Sequence, residues 1–271
     1  MYAYSFSPSC SRTVFFPLRT LLMIAILFCF APTASAQTDS WLGGTGNWSV
    51  PQNWSLGKLP QPSNDCAIPA GSNVADDAAG TCNNFTMAAG DSLSIATSGA
   101  PSSYVDIFGT GITNSGNITV TQSGGLNLEA SSPTTVTLSG GGTVTLSSNS
   151  AHIAGCCGNT LMNVDHLISG FGAIGMGAIN VVNQKTVVAS GGMLAVQGST
   201  NGTAVTNTGL MQATSGSTLQ LIAGFITTPF NNTRGIIQAL SGGAVQISGS
   251  TFTGGMFTQH GNRQLLHCPG Q

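Results

Sequence analysis

Residues 205–222 read VTNTGLMQATSGSTLQLI, and their pattern decides the fold. Asn207 leads to an alternating apolar pair, Met211 and Ala213. A turn at Gly216 follows, and then a second alternating pair, Leu219 and Leu221. Alternation of period two over four or five residues describes a short strand with one buried face. The same order recurs in residues 112–130 (ITNSGNITVTQSGGLNLEA), 181–198 (VVNQKTVVASGGMLAVQG) and 230–248 (FNNTRGIIQALSGGAVQIS). Asn114, Asn183, Asn207 and Asn232 open these units; Asn183 to Asn207 is 24 positions, Asn207 to Asn232 is 25, and Asn114 to Asn183 is 69, three times 23. That interval has room for two less regular units, and residues 135–155 and 167–182 supply their strands. No segment after residue 40 carries a helical i, i+3, i+4, i+7 stripe of useful length.

A period of about 20–25 residues with two or three short strands per unit is the signature of a solenoid. One coil cannot bury its own Val, Ile and Leu; stacking at about 4.8 Å per coil turns them into a continuous core. The expected fold is therefore all-β, a parallel β-helix. Its repeats run over 66–257, after an N-terminal Trp/Gly-rich capping segment at 37–65 and before an irregular tail at 258–271. Asn tolerates the left-handed backbone of a tight corner, and its amide can bond to the Asn one coil away. Asn114, Asn183, Asn207 and Asn232 are thus either rungs of one ladder or simply good turn residues.

The first residues speak to compartment. Arg12 and Arg19 precede the apolar run Leu21–Phe30, and Ala34-Ser35-Ala36 follows. This is the pattern of a secretory signal peptide at 1–36, cleaved after Ala36. Ten apolar residues are too few to span a bilayer, which takes roughly 20. The expected product is a secreted or cell-surface protein with no membrane span in the mature chain. Only 5 % of residues are charged; after cleavage Lys58, Lys185, Arg234 and Arg263 face eight acids. No basic patch exists to neutralise phosphates, so nucleic acid is excluded as a partner. Hydrophobic residues still make up 41 %, far too many for a disordered tail.

The run 163–198, with VTNTGLMQATSGSTLQL at 205–221 and SGSTFTGGMF at 248–257, resembles the repeats of secreted bacterial β-helix proteins, the autotransporter passengers and filamentous-haemagglutinin-like adhesins. The opening WLGGTGNWSVPQNWSLGKLPQPSND at 41–65 is similar to a segment that often precedes such repeats. The resemblance implies a right-handed β-helix outside the cytoplasm. It implies nothing for individual residues, because the family is defined by scaffold.

All three tryptophans, Trp41, Trp48 and Trp54, fall in that opening. They either fold over the exposed first coil as a cap or present indoles to a glycan, with Asn47 or Asn53 bonding to hydroxyls. Cys66 pairs naturally with Cys82, closing a loop worth about 3 kcal/mol, while Cys156, Cys157 and Cys268 have no assigned partner. His152, Cys156, Cys157 and His166 are soft metal ligands at close spacing. Against them, adjacent cysteines diverge on an extended chain, so a vicinal disulfide or free thiols in a turn is the reading adopted, with no metal and no cofactor.

Carboxylates for catalysis are few. Asp76 and Asp77 are neighbours that face opposite sides of a strand; Asp106 and Glu129 lie one period apart and can stack; Asp91 and Asp165 stand alone. No nucleophile motif accompanies His152, His166, His260 or His267. The reading is an exported structural or adhesin-like solenoid that contacts glycans or surface proteins and has no catalytic activity. The alternative is a polysaccharide-binding or polysaccharide-degrading β-helix. The tail either closes the last coil or marks a piece of a longer array, and an uncapped last coil invites self-association.

Overall fold

In the computed structural model the described residues are 35–96, 103–131, 133–200, 205–222, 230–249 and 252–260, with the backbone alone of 266–268. The signal peptide expected at 1–36 lies outside them except for Ser35 and Ala36, as do residues 261–265 and 269–271 of the tail. The chain from Ala36 onward forms one compact unit. Among the described residues no helix is long and apolar enough to cross a membrane.

The unit is a parallel β-solenoid with three faces. The first face begins with Gln37–Ser40, Asn64–Ile68 and Phe85–Met87 and stacks ten strands. The second begins with Gly44–Asn47, Ser72–Asp76 and Ser92–Ile95 and also takes one strand from each coil. The third begins with Ala79–Cys82, Tyr104–Ile107 and Gly125–Leu128. In the middle coils the second and third faces are joined by long bent strands, Thr143–Gly155, Leu167–Ile174 and Thr186–Gln197. Every pairing between strands of successive coils is parallel, so each inward side chain sits on its counterpart. On the second face Val74, Leu93, Ile118 and Val144 stack in register. On the third, Val105, Leu126, Ile153 and Ile174 do the same. These residues are buried and continuous with one core.

The coils are not uniform. Cys66 pairs with Phe85 after 19 residues, whereas Phe85 pairs with Ile112 after 27. Pairing of backbone groups fixes the rungs, and the corners absorb the difference in length.

Two expected boundaries shift. The stretch at 37–65 is not a separate cap laid over the repeats: Gln37–Ser40 pairs with Asn64–Ile68 and Gly44–Asn47 with Ser72–Asp76, which makes it the first described coil. At the other end, Met256–Gln259 is a strand on the second face, and Leu266–Cys268 adds to Ala244–Ser248 on the third. Strand pairing thus continues into the segment expected to be irregular.

Asn183, Asn207 and Asn232 sit one above another, fully buried. The Nδ2 of Asn183 donates to Oδ1 of Asn207 at 2.8 Å, and that of Asn207 to Oδ1 of Asn232 at 2.7 Å. Asn163, which the spacing did not single out, is the first rung and donates to Asn183 at 2.9 Å. Asn114 is not part of this column. Asn163 stacks on Leu138 and Leu138 on Ile112, two residues before Asn114. Gly140 packs against the backbone of Asn114 and offers no side chain to carry an amide column onward. Asn114 closes its own corner instead, accepting from the N–H of Gly116 and donating to the carbonyl of Thr143.

Replacing a middle rung leaves buried amides unpaired on both sides, whereas the last rung has one such neighbour. Asn207→Leu is expected to lower stability by about 2–4 kcal/mol and Asn232→Leu by about 1–2 kcal/mol. Urea unfolding of the two variants beside the unsubstituted protein checks the order.

Candidate functional sites

Trp41, Trp48 and Trp54 are the candidates for glycan contact. Trp41 and Trp48 follow the two strands of the first coil, and Trp54 follows the short 3-10 turn Pro51–Asn53. The rings are 2 %, 1 % and 1 % exposed. Trp54 meets Trp41 edge to face at 5.3 Å and Trp48 at 4.6 Å between ring centroids. The indole of Trp54 donates to the carbonyl of Trp48 and that of Trp41 to the carbonyl of Gly44. No ring face is open to a sugar, so the platform reading of Trp41, Trp48 and Trp54 is corrected. Tight glycine packing explains the burial: a Cβ on Gly80 would lie 2.9 Å from the Trp48 ring.

Cys66 and Cys82 are disulfide-bonded across the core, linking the first face to the third within one coil, with Cα atoms 5.7 Å apart. Cys156 and Cys157 form a vicinal disulfide. The backbone N–H of Asn159 bonds to the carbonyl of Cys156, closing a tight turn in which Cys157 and Gly158 both have positive φ, +67° and +75°. With both sulfurs joined to each other, the set His152, Cys156, Cys157 and His166 loses its thiolates. Among the described residues no group of three or more His, Cys, Asp or Glu side chains is placed to hold a metal ion.

The carboxylates have a common occupation. Asp77 accepts from the N–H and hydroxyl of Ser49 and the amide of Asn47, holding the first corner to the second coil. Asp91 accepts from the N–H groups of Gly71 and Ser72. Asp65 accepts from Asn83 and Asn84, and Asp39 from Ser55 and Leu56. Asp165 accepts from the N–H groups of Gly140 and Gly141. Burial works against the charge of Asp165, yet these donors and His166 hold its pKa below the usual range. Burial keeps the His166 imidazole below its ordinary value although its Nδ1 lies 3.0 Å from Asp165.

Asp106 and Glu129 do not stack. Asp106 is in register with Asn127, which donates to it at 3.0 Å, while the N–H of Glu129 bonds to the carbonyl of Ile107. Burial raises both carboxyls, and the charge of Asp106 raises Glu129 further. Asp76 faces inward on the second face, fully buried. Burial pushes it up to about 8 against the lowering effect of the Ser103 hydroxyl and the Ala78 N–H, and the charges of Asp77 and Asp106 act in the same direction as burial. Asp76 thus lies within electrostatic reach of Asp77 and Asp106. Lys185 immediately precedes the seventh rung of the second face and Asp76 ends the second, a separation of about 24 Å along the stack.

Two arrangements were not visible in the residues taken singly. Asn159 is buried at the next corner, donating to the carbonyls of Leu128 and Ala130 and accepting from the N–H of Thr134. Beside it, a groove of about 650 Å³ is lined by Pro133, Cys157, Gly158, Gly177, Ala178, Asn180 and Ser199. Its residues come from four successive coils, which is why no local motif announces it. Searched against known proteins, the chain matches no family model, no curated protein and no solved structure.

Two outcomes follow from this geometry. Emission from the three indoles is expected to be blue-shifted, resistant to iodide, and unchanged on adding glycans; quenching by either would overturn their burial. Asp76 is protonated in the fold and ionised in the unfolded chain at neutral pH, so its contribution to stability is complete below about pH 4 and is lost as pH rises towards about 8. Asp76→Asn is expected to raise neutral-pH stability, by roughly 5 kcal/mol at most, and to flatten the profile between those limits in denaturant titrations at each pH.

Proposed function

We propose that this chain is an exported solenoid scaffold of the autotransporter-passenger or adhesin type, without catalytic activity, which makes weak and repeated contacts to glycans or proteins at the cell surface. The observation that carries the reading is the use of the carboxylates. Asp39, Asp65, Asp77, Asp91 and Asp165 each hold a turn or corner through N–H, hydroxyl or amide donors, and Asp76 is closed inside the core. A charge-poor chain with its acids so engaged offers other atoms to the solvent. On the second face Asn73, Ser92, Asn117 and Thr143 form an outward column, with Ser92 donating to Asn73 and Thr143 to Asn117. Further along, Gln238 donates to Gln212. Hydroxyls and amides repeated at strand spacing suit many shallow hydrogen bonds to neutral polar polymers, each weak alone.

The two cysteine pairs favour an oxidising compartment, which agrees with export.

Purified protein, free and displayed on beads, can be tested against immobilised polysaccharides and extracellular proteins. Free protein is expected to bind weakly and beads roughly 10²–10⁴-fold more tightly, with polysaccharide chain length unchanged after prolonged incubation. Depolymerisation that disappears in Asp106→Asn would replace the scaffold by the degrading enzyme.

A further inference from the structure

We infer that the groove at the corner between the third and first faces binds a neutral sugar ring, with the Cys156–Cys157 disulfide in its floor. The inference narrows the proposed glycan contact to one place and rests on that reading.

The groove lies over two short corners on successive coils, 156–159 and 175–179, and its lining also takes Pro133 from the coil before them and Ser199 from the coil after. Both short corners are the same kind of turn on successive coils. In one, the N–H of Asn159 bonds to Cys156 across Cys157 and Gly158; in the other, the N–H of Ala178 bonds to Gly175 across Met176 and Gly177. All four central residues have positive φ, between +50° and +78°. Such turns are compact and leave room above them, and at Gly158 a Cβ would meet nothing within 4 Å.

The lining dictates the ligand class. Among the described residues, none that lines the groove is ionisable while the disulfide is intact, so none of them compensates a charged group. A volume of about 650 Å³ is within the range of small-ligand sites, roughly 300–1,000 Å³. Yet there is no aromatic wall for a flat apolar ligand. The apolar surface is small and rigid: an exposed half of the disulfide, Pro133 and Ala178. It suits the C–H face of a pyranose. Polar atoms surround it. The Asn180 amide, which donates to the carbonyl of Gly158 and the hydroxyl of Thr160, is part of this lining.

The disulfide makes this floor stiff. It locks two adjacent side chains and holds Cys157 in a left-handed backbone conformation that a non-glycine residue adopts reluctantly.

The test uses neutral hexose trisaccharides and their sialylated and sulfated counterparts, read by saturation-transfer NMR and calorimetry on the whole protein. Neutral sugars are expected to bind and the anionic ones to bind at least tenfold more weakly. Ala178→Trp and Pro133→Trp, which fill the groove from opposite sides, are each expected to lower affinity at least tenfold, as is the double variant Cys156→Ala with Cys157→Ala. Thermal melts superimposable on that of the unsubstituted protein identify which variants are folded, and Pro133→Trp, on an exposed loop, keeps the test decisive if the others are not. Binding that survives the groove variants but is lost in Thr119→Lys, on the outer second face, overturns the groove and leaves the scaffold reading standing. Adhesion to proteins with no binding of any neutral sugar overturns the groove alone. No adhesion to sugar or protein overturns both.

Discussion

The backbone of each coil must bond to the coils before and after it, and that single requirement orders everything else in this chain. A strand added in parallel to the previous one satisfies its N–H and C=O groups only in register. The inward side chains then stack whether 19 or 27 residues separate them, as Cys66, Phe85 and Ile112 do. Freedom is left to the corners. Differences in length and the non-glycine positive-φ residues Ala96, Gln122, Cys157, Met176 and Arg234 gather there, because a change within a rung would displace every rung stacked upon it.

The same constraint explains why so polar a sequence has a continuous core with amides inside it. On the first face one inward column runs Phe85, Ile112, Leu138 and then, without a break in register, Asn163, Asn183, Asn207. Aliphatic stacking gives way to amide stacking. An isolated buried amide costs stability, whereas a column in which each Nδ2 meets the next Oδ1 satisfies its members from coil to coil. The acids obey a related rule. A carboxylate that accepts from N–H groups at a turn neutralises donors that the sheet ladder cannot reach, which is how Asp91 ties down Gly71 and Ser72. Asp76 is the exception: it stays inside by remaining protonated.

What could be read from the sequence was what repeats. Asn183, Asn207 and Asn232 were legible because their coils differ by one residue in length. Asn163 was hidden because only 20 residues separate it from Asn183, and Asn114 took its place because 69 positions happen to divide evenly by three. Local periodicity reports strand identity, but the register between coils depends on how many residues each corner takes, which side-chain pattern does not encode. The tryptophans show a similar limit: Gly80, whose lack of a side chain lets Trp48 pack inside, lies a coil away from it. Cys66 and Cys82 were legible as a pair because both lie in one coil. The groove was not, since its floor joins GCCG at 155–158 to GMGA at 175–178 and its sides come from two further coils.

Repetition and recognition pull in opposite directions on such a scaffold. A flat face that presents the same hydroxyl or amide every rung binds in any of several registers, and sliding by one rung changes little; such a face gives avidity without choice. Selectivity needs a place that occurs once. In this chain the successive corners 156–159 and 175–179 are one such irregularity: there the backbone accepts left-handed conformations at Cys157 and Met176, which have side chains to be strained, as well as at glycines. A turn kept in that conformation by a bond between neighbouring cysteines holds its shape against the flexibility usual at corners. The faces supply reach, and an irregular corner supplies a position at which sliding by one rung changes the contacts.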